Sequence, residues 1–285
     1  MNDTRFPARF PERLQVLRDL LPRLVQLLEA DHAEEWYAFA WLEETVMLGA
    51  ICGRTEGVQQ DTDRGIVLRV FARGVQYESA GNCLDEFTLL DMARRLRARV
   101  EAEIAAGLPL PAYKPRGWAE EYADPLPPEL RSQLPANPPD VEQPVHLGVR
   151  CTLDPWATTA DKLRNLAVTT RKRVIAANGI FLQRENSASP DSNACVALAE
   201  VRVLARQTVR THVFVDRTRN MSQVLPVTLL YALGIMPGGQ TARALAGGLG
   251  GLEIASLSDD ALAQAAEMPA RLARAERLPP GAYRL

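Results

Sequence analysis

The side chains best suited to acid–base, nucleophilic or metal chemistry are few in this chain and lie far apart. The three histidines are His32, His146 and His212, and the four cysteines are Cys52, Cys83, Cys151 and Cys195. A helix places metal ligands on one face at three- or four-residue steps, and structural zinc sites use close cysteine pairs. No pair of histidines or cysteines has such a spacing, and His32 with Glu35 lacks a local third ligand. The sequence therefore predicts no metal site and identifies no catalytic residue.

Other candidate motifs favour ordinary structure over a reaction. A Gly-x-Ser-x-Gly nucleophile elbow is absent. The glycine run at 247–251 lacks the third glycine of a dinucleotide fingerprint, because Glu253 occupies that position, so we expect a loop or hinge. The basic run Arg171-Lys172-Arg173 has no neighbouring aromatic residues to stack on bases, which favours a solvated helix end.

The charge balance argues against several classes of partner. The chain has 285 residues, of which 33 are basic and 35 acidic, for a net charge of −2. Proteins that bind nucleic acid or anionic membranes usually carry a basic excess, so we expect neither partner. The N-terminal residues contain no apolar run typical of a signal peptide, and no apolar segment is long enough to cross a bilayer. These features predict a cytoplasmic protein.

In the first half, residue spacing predicts a helix, a run of strands and a second helix. Leucines recur at three- and four-residue steps between residues 14 and 28, and Pro22 is expected to kink or split this helix. Strands are predicted over residues 36–42, 45–52, 58–60, 66–71 and 75–79. Arg73-Gly74 predicts a tight turn, and Asn82 is the predicted N-cap of the second helix.

The second half repeats this order after a stretch with ten prolines within residues 108–144. A helix is predicted from Thr158 or Thr159 towards Val174, and Ser258 is the predicted N-cap of a last helix. Strands are predicted over residues 173–177, 180–184, 196–206, 209–216 and 224–233, the last with a short buried helix as the alternative. The sequence therefore predicts an α+β fold of two similar helix–antiparallel sheet–helix units, 1–107 and 145–285, joined by a proline-rich linker, 108–144.

One stretch resembles a known family. The sequence Asp63-Arg64-Gly65-Ile66-Val67-Leu68-Arg69-Val70-Phe71, followed by a turn, a small-residue strand end and a helix, is similar to the N-terminal domain of the TldD/TldE (PmbA) metallopeptidases. The residues that match the family pattern are Asp63, Gly65, Arg69, Val70, Phe71 and Gly74. Arg69 interrupts an apolar run, so its guanidinium is expected to reach a carboxylate, a backbone carbonyl or the surface. Val70 and Phe71 are expected to pack the sheet against helices.

The resemblance implies a role in proteolysis but places the reaction outside this chain. In the family, a His-Glu-x-x-x-His helix and a later cysteine hold the catalytic metal in the C-terminal domain, and this sequence ends where that domain would begin. The resemblance therefore implies a chain without a cofactor of its own, with zinc held by a partner or by a missing domain. Whether that domain is separately encoded or absent stays open.

The function implied by the resemblance is a non-catalytic peptide-channel or scaffold subunit. It would bind unfolded or short peptides in extended form, in a heterodimer with a TldD/TldE-like subunit or together with a separately encoded catalytic domain, and a homo-oligomer is a further possibility. The sequence does not identify the peptide-binding residues. A binding or interaction module on the same fold, without a protease role, is the alternative.

Overall fold

A computed structural model describes residues 6–107, 145–188 and 196–275 of the chain. The helices within these ranges are α1 (Gln15–Glu29), α2 (Glu86–Ala105), α3 (Ala160–Ala188) and α4 (Asp259–Arg274). The strands are β1 (Phe6–Pro7), β2 (Trp36–Cys52), β3 (Glu56–Ala72), β4 (Val75–Gly81), β5 (Val145–Gly148), β6 (Arg150–Cys151), β7 (Glu200–Asp216), β8 (Asn220–Ile235) and β9 (Thr241–Leu249). No helix in the described ranges is long and apolar enough to cross a membrane.

The strands of both halves share one sheet of seven strands. Its order is β4-β3-β2-β7-β8-β5, and β9 pairs with the same strand, β8, as β5 does. The β2–β7 pair, which runs from Phe39 opposite Asp216 to Cys52 opposite Val203, joins the two halves. All pairings are antiparallel except the short parallel pairing of β5 with β8. The predicted α+β class is confirmed, and in each half three long or medium strands lie between two helices.

All four helices pack on one face of this sheet. Even-numbered residues at the start of β2, from Trp36 to Leu42, pack in one buried cluster with α1 and α2. Even-numbered residues at the end of the same strand, Ala50 and Cys52, pack in a second cluster with α3 and α4. Side chains alternate between the faces of a strand, so the odd-numbered residues of β2 lie on the opposite face. We call that face, which carries no helix of the described residues, the open face.

Three local features follow from their residues. Arg73 and Gly74 both have positive φ angles, 49° and 78°, as the two-residue turn between β3 and β4 requires. The Ser258 hydroxyl accepts a hydrogen bond from the Ala261 backbone N–H at 3.2 Å, so the predicted cap of α4 is confirmed. Gly234 on β8 lets α4 approach closely, because a Cβ there would lie 2.1 Å from the carbonyl oxygen of Ala265.

Several predicted elements are wrong in extent or type. The predicted strands 173–177 and 180–184 lie inside α3, and β9 extends to Leu249, into the glycine run 247–251 that was expected to be a loop or hinge. The paired short strands of the sequence prediction merge into the long strands β2, β3 and β7. Pro22 lies within the single helix α1, and the cap of α2 is Asp85 rather than Asn82, accepting from the Thr88 N–H at 2.9 Å. The predicted linker, 108–144, lies outside the described residues.

Candidate functional site

The residues that carry the family resemblance all lie on β3 or on its turn into β4. Val70 is fully buried on the helix-covered face, and Gly74 forms the turn. Asp63, Gly65, Arg69 and Phe71 have odd numbers and lie on the open face, because Ile66, Leu68 and Val70 pack against the helices. The expectation that Phe71 packs against the helices is therefore wrong, since neighbouring residues of a strand cannot face the same side.

Arg69 finds a carboxylate on the neighbouring strand, which confirms one of its expected partners. It lies directly opposite Glu78 of β4, and its Nε donates to Glu78 Oε2 at 2.9 Å. The guanidinium also lies over the Phe39 ring, 5.2 Å from its centre. Arg69 thus ties β4 to β3 and covers part of an aromatic cluster on the open face.

That aromatic cluster is centred on Phe39 of β2. Its ring centre lies 6.3 Å from Tyr37, 6.2 Å from Phe71 and 5.3 Å from Phe214, with tilted rings throughout. Trp41 extends the cluster, 6.2 Å from Phe214 with its ring edge-on. Aromatic pairs at these distances and angles stabilise a fold by more than the burial of their surface area alone would. The sequence signal for this cluster is the alternation of aromatic residues at 37, 39 and 41, because alternate residues of a strand lie on one face.

A partly buried polar network lies at one end of the cluster. The Tyr37 hydroxyl donates to Asp216 Oδ2 at 2.9 Å, and Arg219 Nε donates to the same oxygen at 2.8 Å. Burial and the adjacent Asp216 carboxylate raise the pKa of Tyr37 to about 12. Burial opposes ionisation of Asp216, but hydrogen bonds from Arg219, Thr218 and Tyr37 outweigh it and hold the pKa of that carboxyl below its usual value. This network fixes the ends of β2 and β7 against each other.

A groove of about 600 Å³ lies where β4 ends beside β3. It is lined by Trp41, Glu43, Thr45, Asp63, Arg64, Gly65, Ile66, Val67, Ala80, Gly81 and Asn82. β4 pairs only with residues 66–72 of β3, whereas β3 continues back to Glu56. Within the described ranges, residues 56–65 therefore have a strand partner on the β2 side only. We call this length of backbone the free edge of β3.

The free edge is exposed, polar and close to the family-motif residues. Every residue from Glu56 to Arg64 is exposed to solvent. Charged residues such as Asp61 and Asp63 are typical of exposed edge strands, where they oppose non-specific pairing with other chains. Gly65 lies next to the last residue of β3 that pairs with β4, and a Cβ on Gly65 would lie 3.4 Å from the Gly81 carbonyl oxygen. An unpaired strand edge beside a groove can bind an extended peptide through its backbone N–H and C=O groups.

The described histidines and cysteines do not converge on one another, although His212 adjoins the groove beside its lining residues Trp41 and Glu43. His32 stacks on Trp36 with ring centres 4.1 Å apart, and His212 Nε2 lies 3.7 Å from Glu43 Oε1. The two nitrogens of His146 bond to Ser222 Oγ at 3.1 Å and to the Ala8 carbonyl oxygen at 2.8 Å.

The donor set does not suit a zinc ion. Within the described ranges, no three residues among His, Cys, Asp and Glu are grouped as a metal ion would require, so these residues do not fit the implied zinc. Burial raises the pKa of the Cys52 and Cys151 thiols, which keeps them protonated. Cys195 lies outside the described residues.

Comparison with known proteins gives a shared fold without sequence similarity. No family model and no curated protein sequence matches the chain. A candidate modulator of DNA gyrase from Bacteroides thetaiotaomicron aligns with a TM-score of 0.52 at 12% identity, over 87% of this chain and 49% of that one. A candidate gyrase modulator from Thermotoga maritima aligns with a TM-score of 0.48 at 10% identity, over 91% of this chain and 49% of that one. TldE from Thermococcus kodakarensis aligns with a TM-score of 0.44 at 8% identity, over 90% of this chain and 46% of that one.

The Bacteroides alignment, at 12% identity, shows that this chain shares a fold with part of that protein. The chain spans about half the length of the solved structures that it matches.

Proposed function

We propose that this chain is a non-catalytic peptide-binding subunit that acts with a metal-binding partner in a TldD/TldE-type metallopeptidase. The observation that carries the proposal is the free edge of β3, which opens into a groove lined by the motif residues Asp63 and Gly65. A strand added along this edge continues the line of β4 and pairs through backbone groups, so it selects extended conformation more than sequence. Such selection suits unfolded or short peptides of many sequences.

The surroundings of the groove support binding without catalysis. Glu43, Thr45 and Asp63 are the polar side chains on the open-face side of the groove, and Trp41 supplies an apolar wall. The described residues contain no group of His, Cys, Asp and Glu that could hold a metal ion. The zinc of the proposed peptidase would therefore be held by the partner.

Filling the groove without changing the edge backbone tests the proposal. Gly65→Val places two methyl groups in the groove, whereas Gly179→Val makes the same change in α3, away from β3, where no atom lies within 4 Å of the added Cβ. We expect Gly65→Val to weaken binding of a fluorescein-labelled extended peptide of about ten residues by about tenfold or more, and Gly179→Val to leave it unchanged.

A backbone-modified peptide separates strand addition from other modes of binding. The same peptide with alternate backbone nitrogens methylated loses the N–H donors of one edge, so it is expected not to bind in fluorescence anisotropy. Equal binding of both peptides, or equal effects of the two glycine variants, would refute peptide addition at β3. Absence of any peptide binding, combined with tight binding to a folded partner, would favour an interaction module without a protease role.

A further inference from the structure

The open face carries a second surface, away from the peptide groove, on which several large apolar side chains are exposed. In the register of the sheet, Leu204, Tyr231 and Leu245 form one row across β7, β8 and β9. Thr208, Val227 and Leu249 form another row, about 14 Å away along the strands. Leu245 and Leu249 are 62% and 61% exposed and Val227 is 36% exposed. We call this part of the open face the β7–β9 surface.

Apolar side chains in this number are unusual on a face that stays in water. Leu229 and Leu233 lie in the rows beside Tyr231 and are partly exposed, so the apolar residues along β8 are contiguous. Contiguous apolar patches of more than a few hundred Å² mark interaction sites on soluble proteins. The helices α3 and α4 pack on the other face of the same strands, so they do not cover it.

Charge at the margins of the β7–β9 surface indicates the chemistry of what covers it. Arg206 and Arg210 of β7 and Arg243 of β9 are exposed and lie on the same face as the leucines. None of the three forms an ion pair with a residue in the described ranges. Arg202, by contrast, is held by Glu200, with Nε to Oε1 at 2.8 Å. The surface therefore combines an apolar centre with guanidinium groups that have no carboxylate partner among the described residues.

We propose that the β7–β9 surface binds a second protein through an apolar strip flanked by carboxylates. Guanidinium groups at an interface margin pair well with Asp and Glu and select against basic partners. A second copy of this chain fits less well, because a two-fold contact through this surface would bring its own arginines together without carboxylates. The apolar centre and the acidic balance of the whole chain make nucleic acid a poor occupant. This inference goes beyond the proposed peptide binding and does not depend on it.

Two matched helical peptides test the chemistry directly. One is an amphipathic peptide of about 18 residues with a leucine stripe flanked by glutamates, and the other replaces the glutamates with lysines. In fluorescence anisotropy on the full chain, we expect the acidic peptide to bind about tenfold or more tightly than the basic one. Equal binding of the two peptides would overturn the proposal.

Charge reversal places the binding on the predicted surface. The double variant Arg206→Glu/Arg210→Glu is expected to bind the acidic peptide about tenfold or more weakly than the wild type does, and to bind the basic peptide more tightly. Arg164→Glu, the same change on an exposed position of α3 on the opposite side of the sheet, is expected to bind as the wild type does. Unchanged binding by the double variant would refute this location, as would an equal loss in the α3 control.

Two further measurements distinguish the other occupants. Light scattering that shows a wild-type dimer, dissociated in Leu245→Glu, would assign the surface to a second copy and overturn the proposal. Binding of a labelled DNA duplex that disappears in Arg206→Glu/Arg210→Glu would assign it to nucleic acid with the same consequence. A monomeric wild type without DNA binding, together with the peptide results above, is the expected outcome.

Discussion

Gly234 is a position where a single added methyl group should strongly destabilise the fold. In Gly234→Ala the new Cβ would lie 2.1 Å from the Ala265 carbonyl oxygen and 3.3 Å from Leu198 Cδ1. The first distance is more than 1 Å too short and involves backbone, so α4 must move away from β8. That movement loosens Leu262, Ala265 and Ala266, which are at most 4% exposed.

The expected loss of stability in Gly234→Ala follows from overpacking at a site where the obstacle is backbone and cannot change rotamer. Inserting one methyl group into a packed core typically costs about 1–3 kcal/mol, and a backbone obstacle places Gly234→Ala near 3 kcal/mol. For a chain of this size, about 1 kcal/mol shifts the melting temperature by roughly 2–4 °C, so we expect a fall of roughly 6–12 °C. Thermal unfolding followed by far-UV circular dichroism, with a urea titration of both proteins, measures it.

Gly179→Ala is the matched control, with an effect of opposite sign. Gly179 lies inside α3, and no atom lies within 4 Å of an added Cβ. Alanine in a helix interior is favoured over glycine by about 0.5–1 kcal/mol, so this variant should melt slightly higher. A melting temperature for Gly234→Ala within 1–2 °C of the wild type, or a fall equal in both variants, would refute the close packing of α4 on β8.

Two smaller predictions concern the open face. Arg69→Ala should lower the unfolding free energy by about 1 kcal/mol, because the partly exposed pair with Glu78 and the contact with Phe39 each contribute at most about 1 kcal/mol. A double-mutant cycle with Glu78→Ala, followed by urea unfolding, measures the energy of the pair. A loss above about 3 kcal/mol would contradict the partly exposed setting of Arg69. The raised pKa of Tyr37, about 12, means that the native chain keeps this proton while the unfolded chain loses it near pH 10, so stability should fall as the pH rises from 10 to 12; Tyr37→Phe should flatten that fall, and an unchanged pH profile would show that Tyr37 titrates normally.

Local signals in the sequence predicted those features that depend on a few adjacent residues. Arg73-Gly74 predicted a hairpin turn because both positions need positive φ, and Ser258 predicted the start of α4 because its hydroxyl accepts a backbone hydrogen bond. The α+β class followed from consecutive strands flanked by helices. These predictions held because no distant contact is needed to satisfy them.

Tertiary contacts overrode the local signal in α3. The predicted strands 173–177 and 180–184 flank Asn178-Gly179, a pair that is common in hairpin turns. In the structure the Asn178 amide instead donates to the Ala266 carbonyl oxygen at 2.9 Å, and its oxygen accepts from the Leu198 N–H at 3.3 Å. Both partners are distant in sequence, so the local pattern could not reveal that this asparagine joins a helix to its neighbours.

The candidate site was predictable in part for a similar reason. The motif around Asp63 and Gly65 identified the correct strand, but the groove exists only because β3 is longer than β4. The sequence divided β3 into two short strands, since the polar run from Glu56 to Arg64 lacks the apolar alternation of a half-buried strand. An edge strand that must remain exposed has no reason to show that alternation.

The central position of β2 also has a consequence for how the chain folds. One edge of β2 pairs with β3, which follows it directly, whereas the other pairs with β7, roughly 150 residues or more further along the chain. Pairings between such distant segments slow folding, because a long loop must close before they form. During synthesis, the edge of β2 that later pairs with β7 therefore stays unpaired until β7 has left the ribosome. In that interval it is a template for other strands, and the nascent first half should need protection from a chaperone more than the finished protein does.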